Sequence, residues 1–155
     1  MYKAIEIATR FLDLDKTNKI FKEDDQSNIR LNHYLHIAQT YFYAKYEKLL
    51  FEDDSYALEE GPIIPDVTEN YNKIFKEENK YIPLDKKADD FVKRVSISLR
   101  DASNKEIEAI VKDDFAWKNV FYNKKIPDKM DIKNELENYK TFYEDGLKQL
   151  DNIPV

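Results

Sequence analysis

Residues 29–48 read IRLNHYLHIAQTYFYAKYEK, and the spacing of their apolar side chains decides the fold. Leu31, Tyr34, Leu35, Ala38, Tyr41 and Phe42 recur at steps of three and four, the period at which a helix returns to one face. The stripe is wide, so the segment predicts a long, central helix. Ser27 or Asn28 is the expected cap, accepting backbone N–H bonds at its start. Upstream, Ile5, Ala8, Phe11 and Leu12 predict a helix over residues 2–14. The polar stretch 15–28, broken only by Ile20 and Phe21, reads as a loop or a poor short helix. Downstream, two short apolar patches, Leu49-Leu50-Phe51 and Tyr56-Ala57-Leu58, flank Glu52-Asp53-Asp54-Ser55. They suit a small hairpin over residues 49–58 or an irregular turn.

Proline and glycine divide the remainder. Gly61-Pro62-Ile63-Ile64-Pro65 cannot lie mid-helix, because each proline pushes the residue before it towards extended backbone. Asp66, with Glu69 three residues on, is the expected cap of a helix carrying Val67, Tyr71, Ile74 and Phe75. Residues 76–85 form a polar linker around Pro83. Ala88, Phe91, Val92, Val95 and Leu99 then predict a helix over residues 85–100. Ser103-Asn104-Lys105-Glu106 is a capping box opening a helix with Ile107, Ile110 and Val111 inward. Residues 114–122 hold the single tryptophan, Trp117. A last helix should begin after Pro127, capped by Asp128, with Ile132, Leu136, Tyr139, Tyr143, Leu147 and Leu150 along one side. No long alternating strand pattern occurs. The expectation is one all-α domain over residues 1–155, a compact bundle of six or seven helices with at most one short hairpin near residues 49–58.

Composition mainly excludes. No cysteine means no disulfide scaffold, no thiolate metal site and no thiol nucleophile. Two glycines, Gly61 and Gly146, cannot spell a phosphate-cradling loop. A net charge of −6, with four arginines among 25 basic residues, disfavours a general nucleic-acid binder. No stretch reaches the roughly 18 apolar residues of a membrane span. The N-terminal MYKAIEIATRFLDLDK, with charges inside its apolar pattern, does not read as a signal peptide. A soluble cytoplasmic protein without membrane contact, metal or cofactor is expected.

Catalytic constellations are sparse. His33 and His36 lie three apart without an accompanying ExxH or HExxH, so the expected arrangement is one solvated and one packed at a helix rim. Adjacent acids such as Asp53-Asp54, Asp89-Asp90 and Asp113-Asp114 read as solvating pairs rather than opposed catalytic carboxylates. The segment Trp117–Lys125 mixes aromatic rings and lysines, with Lys129 and Lys133 beyond it. One use is stacking and phosphate contact with nucleic acid through residues 117–133. Another is internal packing of Trp117 against Phe121. A third is a protein partner, for which Trp117, Phe121, Tyr122, Tyr43 and Tyr46 are the candidate contacts. An aromatic surface of this kind would also suit a homodimer.

Three segments carry a resemblance: LNHYLHIAQTY at residues 31–41, YALEEGPIIPD at residues 56–66, and Ala116-Trp117-Lys118 followed by Ile126-Pro127 and a last helix. Together they resemble the Panacea antitoxin domain family, also described as SocA-like phage-associated proteins, over residues 4–145. Ile37-Ala38-Gln39 with GPIIP is the most specific part. The chain departs from the family pattern at Leu58, Glu60 and Ala116, near or at positions where the family usually has tryptophan, an aromatic and proline. The resemblance implies a mostly helical, non-enzymatic module that binds and neutralises a cognate protein toxin. It also implies an alternative, an adaptor delivering the toxin to a protease with its unfoldase. Gly61, Pro62 and Pro65 have a structural reading of their own: glycine tolerates positive φ, and the prolines stiffen the approach to the next helix.

Overall fold

The computed structural model describes residues 1–123 and 127–155. Among them are eight α-helices and one small antiparallel sheet, a mostly helical architecture as the periodicity predicts. The helices are α1 (Ala4–Leu14), α2 (Asp25–Tyr46), α3 (Pro65–Lys76), α4 (Lys86–Leu99), α5 (Asn104–Lys112), α6 (Phe115–Asn123), α7 (Leu136–Phe142) and α8 (Glu144–Asp151). The strands are β1 (Tyr56–Leu58), β2 (Gly61–Ile63) and β3 (Asp128–Lys129), in the order β2-β1-β3. None of these helices is long and apolar enough to cross a membrane.

Helix α2 is the axis of the bundle. Fourteen of its 22 residues are buried, polar ones included, because other elements surround it on every side. It begins a turn before the expected start. Asp24, not Ser27 or Asn28, accepts the capping bond, from the Ser27 N–H. Ser27 instead accepts the Lys22 N–H and helps hold the preceding loop. That loop is ordered by one buried carboxylate: Asp15 accepts the N–H groups of Lys19, Ile20 and Phe21.

Three further expectations are corrected. The hairpin is β1–β2, residues 56–63, not residues 49–58. Leu50 and Phe51 have other partners, because both their N–H groups donate to the Gln39 side-chain oxygen and Phe51 pairs with Tyr2 in a parallel bridge. Asp66 does not cap α3; the helix starts from Ile64 with Pro65 in its first turn, where the absent proline N–H costs nothing. Residues 128–150 are not one helix. Asp128 and Lys129 pair with β1, a 3-10 turn covers Lys133–Glu135, and the chain breaks helical geometry at Tyr143. The apolar stripe keeps its spacing across that break, so periodicity does not register it. By contrast, Asp85 caps α4 and the Ser103–Glu106 capping box opens α5 as expected.

Gly61 lies at φ +123°, and a Cβ there would sit 2.7 Å from His33 Nε2 and 3.3 Å from Val111 Cγ2. Its missing side chain is what lets β2 lie on α2 and α5. Gly61→Ala is expected to lower the unfolding free energy by about 2–3 kcal/mol, from backbone strain and steric clash together. Urea denaturation of wild type and variant measures it.

Candidate interaction groove

The groove is built on Asp114, which lies between α5 and α6. Its Oδ1 accepts the Ala116 N–H at the start of α6. Its Oδ2 lies 2.6 Å from His36 Nε2 on α2 and 2.9 Å from the Tyr139 hydroxyl on α7. The ionised carboxylate only accepts, so His36 donates from Nε2 and Tyr139 donates its hydroxyl proton. The Asp114 side chain is fully buried, and the network ties α2, α6 and α7 together. Around it Tyr41, Tyr143 and Tyr139 form a parallel stack, with ring centroids 4.0 and 5.2 Å apart. Burial pushes all three tyrosine hydroxyls above their ordinary pKa; the Asp114 charge adds to this at Tyr139 and Tyr143. These hydroxyls therefore stay neutral at physiological pH.

Outside this layer lies a cavity of about 420 Å³, bordered by Tyr41, Ile110, Asp113, Phe115, Tyr139 and Phe142. A smaller hollow of about 190 Å³ shares Tyr41 and Ile110 and continues past Leu99 to Gly146 and Gln149. The two adjoin at Tyr41 and Ile110 as a groove, the first part bordered by α5, α6 and α7 and the second by α4, α5 and α8. Gly146 lets α8 lie close to Tyr41, since a Cβ there would stand 2.9 Å from its ring. Three large apolar side chains on the rim face solvent, Phe142 at 65 % exposure, Ile110 at 42 % and Phe115 at 40 %. Lys118 pairs with Asp113 at 2.9 Å, and its ammonium lies 5.6 Å from the Phe115 ring centre. The groove thus offers apolar contact, one accessible carboxylate and aromatic faces.

The other large hollows are charged. One, of about 580 Å³, lies where α1 and α4 end and is bordered by Lys16, Lys19, Lys93 and Arg100 together with Asp15 and Asp101. Another, of about 630 Å³, is bordered by acids and lysines around Asp53, Asp54 and Asp128. Among the described residues, no three His, Asp or Glu side chains are grouped to hold a metal ion.

The expected contact residues divide. Trp117 is 3 % exposed; its indole N–H donates to the Leu58 carbonyl and its ring stacks on Phe121. It holds α6 against β1 and is not an available anchor. Phe121 is half-buried beside it, whereas Tyr122 is 71 % exposed. Tyr43 is half-buried and donates its hydroxyl to the Lys133 carbonyl. Tyr46 is half-buried against Phe42 and Phe91, with the Lys87 ammonium 4.5 Å above its ring. Gly61 and Pro62 are buried under α2 and α5, and Pro65 is exposed at the first turn of α3. Lys118 and Lys129 are paired with Asp113 and Asp54. Lys124, Lys125 and Ile126 lie outside the described residues.

Ile110, expected inward, faces solvent. Asp114, expected to solvate, is buried, and so are both histidines. The exposed pair Phe115 and Phe142 did not stand out in the sequence reading. The available signal is that Phe142 falls off the 136–139–143–147 stripe and Phe115 lies off the inner face that carries Ala116, Trp117 and Val120. No family model, no curated protein and no solved structure matches this chain.

His33, beneath Gly61, titrates far from its ordinary range. Burial, then the neighbouring His36, pushes its pKa from 6.5 down to about 4. As pH falls, the unfolded chain takes up the proton first. The stabilisation is therefore complete above pH 6.5 and is lost between 6.5 and 4, by about 3 kcal/mol in all. Urea melts across this window should show that slope in wild type and a shallower one in His33→Gln.

Proposed function

We propose that this chain is a non-enzymatic protein-binding module, an antitoxin that neutralises a cognate protein toxin by holding it in the α5–α8 groove. The observation that carries this reading is the trio Ile110, Phe115 and Phe142, large apolar side chains exposed around one concave surface. Scattered apolar residues are ordinary on a surface, whereas a contiguous apolar rim around a groove is the usual mark of a partner site. The resemblance of residues 31–41 and 56–66 to the Panacea antitoxin family supports the toxin as the partner. A scaffold role for Asp114, His36 and Tyr139 is supported by their being hydrogen-bonded to one another, although Asp114 and Tyr139 also border the cavity.

Co-expression with the product of the neighbouring gene tests the reading. The expected outcome is that the neighbour is toxic alone, harmless beside this chain, and co-purifies with it. Ile110→Glu with Phe142→Glu should weaken co-purification at least about tenfold while leaving the fold intact, because both side chains already face water. A harmless neighbour that does not co-purify overturns the antitoxin reading. Toxin that disappears in protease-proficient cells and persists in protease-deficient ones would identify delivery to a protease rather than blocking.

A further inference from the structure

We propose that the cavity between Phe115, Phe142 and Asp113 accepts an arginine side chain of the protein partner. The inference rests on the protein-binding reading for the source of the side chain, and on the cavity for its chemistry. Phe115 and Phe142 present rings with centroids 5.9 Å apart and tilted by 45°, both open to solvent. Beside them stands the Asp113 carboxylate, its side chain 83 % exposed. Aromatic faces attract cations, and a carboxylate next to them adds direction.

The chain already uses this chemistry on itself. Lys118 places its ammonium against Asp113 Oδ1 while standing over the Phe115 ring. A guanidinium suits the remaining space better than a second ammonium. It is flat enough to lie against Phe142, it is more weakly hydrated, and its fork can reach the Asp113 oxygen that Lys118 does not hold. The surrounding charge is complementary: residues 104–118 and 136–151 carry eight carboxylates and five lysines. The exposed apolar rim makes a partner's surface, rather than a free small cation, the fitting carrier of the guanidinium.

The test uses the full chain and no partner. Aromatic resonances of Phe115, Tyr139 and Phe142 are followed by NMR during titration with N-acetyl-arginine amide, N-acetyl-lysine amide or N-acetyl-leucine amide at low salt. The expected result is saturable perturbation by the arginine compound with a millimolar-scale Kd, about the affinity of a single side chain. Asp113→Asn and Phe142→Ala should each weaken it about fivefold or more. Both residues are exposed, so the variants should retain the wild-type backbone spectrum. No saturable response, an unchanged response in either variant, or an equal response to the lysine or leucine compound overturns the proposal. A negative titration with co-purification intact removes the arginine pocket and leaves the binding module standing.

Discussion

A helix enclosed on every side buries polar groups as well as apolar ones, and α2 pairs most of them, leaving Arg30 Nε, His33 Nε2 and His36 Nδ1 without a hydrogen-bond partner. An unpaired buried donor costs on the order of 1–3 kcal/mol, so these side chains cannot be neutral passengers. Asn32 accepts the Ile64 N–H and donates to Thr68, fixing the start of α3. Seven residues on, Gln39 accepts from Leu50 and Phe51 and donates to the Phe51 carbonyl. Arg30 donates to the carbonyls of Leu99 and Ala102 and to Asn104, so it satisfies the end of α4 and steadies the beginning of α5. His36 reaches Asp114. The apolar stripe places α2 in the core, and its polar residues decide which backbone lies against it.

This division explains what the sequence made legible. Helices such as α4 and α5 follow apolar periodicity and local caps, and both signals lie within a few residues of each other, whereas α1 follows periodicity alone and its first N–H donates to distant Asp53. The hairpin was displaced because the competing partner of Leu50 and Phe51 is a side chain more than ten residues upstream. The C-terminal break was hidden because Tyr139 and Tyr143 belong to one stripe although helical geometry fails at Tyr143. Long-range hydrogen bonds leave little trace in local pattern.

The groove was legible only in fragments. Aromatic excess pointed to exposed rings, but Trp117 is a buried one. A tryptophan whose N–H finds a backbone carbonyl is well suited to burial. The exposed rings of the groove, Phe142 and Phe115, sit off the apolar stripes of their helices. The buried pairing of His36 with Asp114 lies across 78 residues and cannot be read from spacing.

The construction of the groove separates what must stay fixed from what can vary. Its floor hangs from one carboxylate shared by three distant stretches of chain, so replacing His36, Asp114 or Tyr139 alone leaves a buried polar group unpaired. The rim is held by nothing of that kind. Ile110, Phe115 and Phe142 face water, so each can be exchanged singly without unpairing anything in the scaffold beneath.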